Sequence, residues 1–285
     1  MNGAWLSAEG ALRAHKTWRT GEPVHGMIYF VPEAAEAYAR LGIDGRAGYF
    51  ASRAAPMGAV SAEVVVSTFF NFNPELVHAA IPAAWEVTTP VALVTARFDA
   101  ADAAFRRVLG DAVVGSGEMR RAAALARTAA EVAAQRVEGR PLAAGHADVA
   151  WPDAAHLVLW HAQSLLREYR GDGHIAQLVT HGLSGLEALL THAAAGDVPA
   201  PVLKSTRAWP EDTWDDAAEA LRGRGWLEPG DELRLTAWGT EQRRAIEEGT
   251  DALAAAPYDA LGDECCRELR ALMRPWSTEF AQLFR

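Results

Sequence analysis

The stretch between Pro210 and Gly249 constrains the fold more than any other. Pro210-Glu211-Asp212 opens a helix with carboxylates at the positive end of its dipole, and Trp214, Ala217, Ala218 and Leu221 recur behind it at helical spacing. Arg222-Gly223-Arg224-Gly225-Trp226-Leu227 stops that helix, and Glu228-Pro229-Gly230-Asp231-Glu232 makes a tight turn. Leu233-Arg234-Leu235 alternates as a short strand does, and Thr236 stands where the N-cap of a further helix is needed, one that runs past Gly239 to about Gly249. Few folds accommodate a helix, a turn with a strand, and a second helix in so short a span.

The remainder reads as mostly helical. Residues 24–30 suit a short strand. Pro32 sits in the first turn of a helix over 33–41, which Gly42 closes. Gly48 weakens a helix over 46–53. Residues 61–72 read as a buried helix despite their β-branched run, Asn73 caps a helix over 75–80, and helices follow over 99–109 and 118–135. Glu138-Gly139-Arg140-Pro141 marks a linker, so the expected division is a helical domain over 1–137, a linker over 138–150 and a second domain over 151–285. In that second domain a helix runs from 154 to about 169. Arg170-Gly171-Asp172-Gly173 reads as a turn, and another helix covers 174–192. The expected fold class is mainly α with a small β wing near the C-terminus.

Half of the residues are hydrophobic and 22% are charged, an ordinary globular balance. No apolar run approaches the roughly 20 residues of a membrane span, and residues 1–10 have neither the basic region nor the apolar core of an export signal. The two cysteines, Cys265 and Cys266, are adjacent and poorly placed to bridge each other. These features point to a cytoplasmic protein with no membrane partner. The net charge of −10 lowers the expectation of nucleic-acid binding, because phosphate neutralisation usually requires a basic footprint.

Through Arg224-Gly225-Trp226-Leu227 and Leu235-Thr236-Ala237-Trp238-Gly239, the region over about 151–285 resembles the winged-helix domain of the MarR group of regulators. In that group the comparable segments are the end of the recognition helix, the wing, and the helix leading to the dimer region. The whole chain is similar to actinobacterial proteins labelled SalK-like or MarR-like. That likeness is carried by Tyr29-Phe30-Val31-Pro32-Glu33, Gly48-Tyr49-Phe50-Ala51-Ser52-Arg53, Phe69-Phe70-Asn71-Phe72 and Arg170-Gly171-Asp172-Gly173-His174-Ile175. It implies a fold more than an activity. One departure matters: Glu211, Asp212, Asp215 and Asp216 would face DNA phosphates from the recognition-helix position, and Arg222, Arg224 and Arg234 are too few to offset them.

Candidate site residues fall in both halves. His174 and Asp172 would form an acid/base pair in which a carboxylate orients an imidazole, although Asp172 suits an N-cap equally well. His161, His174 and His181 would converge if their helices packed as a hairpin, but their spacing matches no metal-ligand motif, so no metal and no cofactor is assigned. Arg53 beside Tyr49 suits an acidic or planar ligand. His25, Asn71 and Arg170 complete the candidate ligand-binding set. Trp209, Trp214, Trp226 and Trp238 read as core of the winged-helix unit, and Cys265 and Cys266 as packing residues. Dinucleotide, P-loop, nucleophile-elbow and CxxC motifs are all lacking.

Two functional expectations follow. The first is a small-molecule-binding protein on a winged-helix scaffold, an enzyme of specialised metabolism if the His174–Asp172 pair is catalytic. The alternative is a ligand-responsive transcriptional regulator of the MarR type. A symmetric homodimer through the helical C-terminus is the default assembly for either.

Overall fold

The computed structural model describes residues 7–43 and 45–284. Its axis is a single helix, Ala155–Thr180, which runs straight through the segment expected to turn. Gly171 and Gly173 each cost about 1 kcal/mol of helix propensity. The burial of Leu159, Trp160, Leu165, Leu166 and Tyr169 above them and Leu178 below outweighs that cost. Gly173 is needed for closeness rather than for a turn: a Cβ there would lie 2.8 Å from Arg140 Nη1 and 3.4 Å from Leu253 Cβ. Arg140 crosses the helix at that point. Its guanidinium lies 3.8 Å from the Tyr169 ring centroid and donates to the carbonyls of Tyr169 and of Leu253, the latter at 3.0 Å.

Two apolar clusters flank this axis. The larger gathers residues from Ala14 to Tyr169 and adds Ala254 to Phe280 from the far end of the chain. The central helix packs chiefly on Gly117–Ala134, and the last long helix, Asp263–Ala281, returns to lie on the first, Ala8–Gly26. That return buries Cys266, Leu269, Met273, Trp276 and Phe280 against this chain's own residues. The smaller cluster runs from Leu178 to Ile246. Residues 138–150, read as a linker, contain the helix Pro141–Asp148, whose Leu142, Ala143 and His146 are buried. Residues 24–30 do not form a strand. They end the first helix and continue as the 3-10 turn Met27–Tyr29, because Val24, His25, Met27 and Ile28 are all buried in succession rather than alternately.

The carboxy-terminal unit consists of the helices Gly185–Ala194, Ala200–Arg207 and Glu211–Gly223, followed by Ala237–Leu253. Ser184 and Glu187 form a reciprocal capping box on the first, and Thr236 caps the last by accepting from the Gly239 amide at 2.9 Å. Trp214 and Trp226 are core, as the sequence suggests, whereas Trp238 is half exposed with its edge against Trp226. The expected wing is reduced to one antiparallel bridge between Leu227 and Leu235, held by Glu228 N to Arg234 O at 2.9 Å and Thr236 N to Trp226 O at 3.0 Å. Pairing goes no further because Pro229 has no amide to donate and residues 229–232 are solvent-exposed. No single helix among the described residues is long and apolar enough to cross a membrane.

Candidate functional site

A cavity of about 360 Å³ lies where the two clusters meet, within the range typical of small-ligand sites. Its floor is the central helix from Arg167 to Leu178. Trp18 and Glu22 of the first helix, Tyr49 and Arg53 of the helix Gly45–Ala54, and the segment 68–72 form one wall. His192, Arg207 and Glu247 form the other.

The two halves are stitched together beside this cavity. The Asn73 amide donates to Arg207 O at 3.2 Å, Asn73 Nδ2 to Ala208 O at 2.8 Å, and Trp209 Nε1 to Asn71 O at 3.0 Å. Asn73 also caps the helix Pro74–Ala80, the role its position before Pro74 suggests. Gly185 belongs to the same joint: a Cβ there would sit 1.8 Å from Phe70 O, so only glycine lets the helix Gly185–Ala194 press against this segment. Phe70 itself holds φ at 31°, a sparsely populated positive-φ conformation that costs a non-glycine residue about 1–3 kcal/mol and aims Asn71 and Phe72 into the cavity wall.

Glu168 is the electrostatic centre. Burial alone would raise its pKa, yet the guanidiniums of Arg167 and Arg53 hold it well below the usual carboxylate range. Arg167 Nη1 donates to both carboxylate oxygens at 2.9 Å, and Arg53 Nη2 reaches Oε1 at 3.4 Å. Arg53 also donates to Tyr49 Oη at 2.8 Å and lies 4.3 Å from the Phe69 ring centroid. One helical turn on, Asp172 is 6% exposed, and burial pushes its pKa up to about 7. It accepts from the Ala143 amide at 2.9 Å and from the Leu142 amide, so it caps the helix Pro141–Asp148 rather than its own.

The pairing of Asp172 with His174 does not form, because each spends its hydrogen bonds on a different element. His174 Nδ1 meets Thr250 Oγ1 at 3.0 Å, and Thr250 donates its one hydroxyl proton to Ile246 O at 2.7 Å. His174 therefore carries its proton on Nδ1 and leaves Nε2 as a base, with burial lowering its pKa to about 4. Arg170 is committed elsewhere: Nη2 pairs with Asp251 at 2.8 Å and Glu247 at 3.3 Å, and its guanidinium lies 3.9 Å from the Trp18 ring centroid.

Tyr49, Arg53, Asn71, Arg170, Asp172 and His174 thus share one cavity, whereas His25, His161 and His181 lie outside it. His25 is wholly satisfied: Ser164 gives its proton to Trp160 O, so His25 Nδ1 donates to Ser164 Oγ at 2.9 Å and Nε2 accepts from Tyr29 Oη at 3.0 Å. His161 packs against Trp151 with ring centroids 4.7 Å apart. His181 ends the central helix and bonds Gln177 O at 2.8 Å. The three candidate histidines do not converge, and no group of His, Cys, Asp or Glu among the described residues has metal-holding geometry.

Sequence reasoning passed over Glu168, Arg167 and Arg207. Glu168 lies four residues before Asp172, so the two share a helix face, a legible signal hidden by the mistaken turn. Arg207 ends the helix Ala200–Arg207. Its guanidinium lies 4.3 Å from the Phe72 ring centroid, and Nε reaches Asn71 Oδ1 at 3.4 Å. Burial lowers its pKa, and no carboxylate among the described residues pairs with it.

A family model described as a helix-turn-helix family matches residues 14–283. The chain belongs to this helix-turn-helix family. Comparison with curated proteins and with solved structures finds no match. The match spans both clusters of this family member. On the third helix of its carboxy-terminal unit, Glu211, Asp212, Asp215, Asp216 and Glu219 are all exposed. The nearby cations are already engaged: Lys204 with Glu211, and Arg222 with Glu219.

Proposed function

We propose that this protein binds a small organic anion with a flat, unsaturated body in the cavity between its two apolar clusters, and that the helix-turn-helix unit serves as half of the binding frame. The observation that carries this reading is Arg207, a half-buried cation stacked on Phe72 with only an amide oxygen for company. Arg53, stacked on Phe69, supplies a second guanidinium 8% exposed. An anion stacking between these rings would accept from Arg207, and its body would displace water from the aromatic wall. Asp172, titrating near neutrality, and the free Nε2 of His174 are the groups available for proton transfer should the bound anion react.

A ligand-responsive, DNA-binding regulator is the second reading, favoured by the family match and opposed by the acidic third helix. Calorimetric titration with a panel of aromatic mono- and dicarboxylates tests the first. Saturable binding that Arg207→Gln weakens supports it, and no binding across the panel refutes it. Retardation of duplex DNA at low salt, with affinity falling steeply as salt rises, would move the conclusion to the second reading.

A further inference from the structure

A second polar interior lies apart from this cavity. Arg97, on the helix Pro90–Leu109, is 3% exposed. Its Nη1 donates to Ser52 O at 2.8 Å, but Nε and Nη2 find no acceptor in the chain, and no carboxylate among the described residues pairs with it. Two more buried nitrogens nearby lack partners, Trp160 Nε1 and His146 Nδ1, on residues 2% and 4% exposed. The guanidinium carbon of Arg97 is 5.5 Å from the Trp160 ring centroid, and the His146 and His161 rings are 6.3 Å apart. All four residues line one cavity of about 10 Å³, closed by Pro56, Val94, Phe98 and Val149.

That volume suits a single water-sized occupant. The chemistry of the wall decides which kind. A water molecule brings two protons that need acceptors; the neutral His146 ring can take one, whereas Arg97 and Trp160 offer only N–H donors. Water would also leave the guanidinium charge uncompensated, and an isolated buried charge is among the most costly features a core can hold. A monatomic anion accepts from every donor and neutralises the charge. We propose that this cavity is a binding site for one monatomic anion of chloride size, held by Arg97 Nε and Nη2, Trp160 Nε1 and His146 in its Nδ1–H form. Pro56, Val94, Phe98 and Val149 also floor an open apolar groove of about 650 Å³, which gives the ion a path from solvent.

The full chain, dialysed into sodium gluconate, tests this by its melting temperature as chloride or bromide replaces gluconate at constant ionic strength. The expected result is a saturable rise of several degrees at halide concentrations about a hundredfold above the Kd. Trp160→Phe keeps the ring and removes one donor, and should move the halide midpoint up by about tenfold. Arg97→Met should abolish the halide response and melt in gluconate at or above the parent temperature. Bromide-soaked crystals of the parent should show an anomalous peak in contact with Arg97 and Trp160. A halide response that is linear and equally present in Arg97→Met, or bromide crystals without that peak, overturns the proposal. Should Arg97→Met fail to fold, Trp160→Phe and the anomalous peak still decide it.

Discussion

Glu168 and Arg97 are both charged groups almost fully buried in the larger cluster, and the chain treats them in opposite ways. Glu168 meets two guanidiniums, one from its own helix and one from the helix Gly45–Ala54, and is thereby kept ionised. Arg97 meets a carbonyl and the face of the Trp160 ring. The Glu168 group is compensated within the protein and faces a cavity that still holds a surplus cation, Arg207. The Arg97 group leaves Nε and Nη2 without an acceptor in the chain. The contrast teaches that a buried charge is informative through its partners: a compensated one builds a site, and an uncompensated one marks where a counter-charge belongs.

The largest effect is expected from Glu168→Leu. Removing the carboxylate strands Arg53, whose side chain is 9% exposed, whereas Arg167, at 28%, can turn toward solvent. Urea unfolding should show a loss of about 3–5 kcal/mol. A loss below 1 kcal/mol would erase the distinction between the two interiors.

Asp172→Asn comes next and is read from a pH series. Native Asp172 keeps its proton up to about pH 7, while the unfolded chain releases it near its ordinary value of 3.8. The native state therefore binds more protons between those limits, and raising the pH through that window lowers stability, by up to about 1.4 kcal/mol per pH unit. Asparagine still accepts from the Ala143 amide and has no charge to bury, so the variant should lack this slope. The histidines whose pKa burial lowers, including His25 and His146, give the opposite slope below about pH 6.5, so the comparison is parent minus variant. Identical slopes in the two proteins would show that Asp172 is ionised throughout.

Arg207→Gln should leave unfolding nearly unchanged, because no ion pair is lost, and should weaken binding of a carboxylate ligand by about 10- to 100-fold. Equal losses of stability and affinity would assign Arg207 to the joint between the halves instead. The smallest effect on folding is expected for Arg97→Met in halide-free buffer, a loss of zero or a modest gain. A loss as large as that of Glu168→Leu would mean that Arg97 is compensated within the chain after all.

Much of the carboxy-terminal unit was legible because its signals are local. Proline at 210, the Trp214–Leu221 spacing and Thr236 as a cap act within one or two turns, as does Asn73 before Pro74 in the other half. The segment 170–173 was misread because two glycines beside an aspartate are a turn by local rules. The helix persists there through contacts with Arg140 and Leu253, which are remote in sequence. The wing failed for the converse reason: its alternating residues suit a strand, but a strand needs a partner to pair with, and Pro229 withholds one. Tyr49, Arg53 and Asn71 were picked out by residue type, and their meeting with Asp172 and His174 depended on how the halves dock.

By itself the sequence determined the helical class, the helices that open at Pro210 and Thr236 and the acidic face of the first of these, because these depend on periodicity, capping and charge along a short stretch of chain. Only the tertiary structure decided that the last helices return to the first, that Asp172 caps a helix other than its own, and that Glu168 is paired while Arg97 is not. Burial and charge compensation are set by neighbours brought from far along the chain, and no local pattern encodes which neighbours those will be.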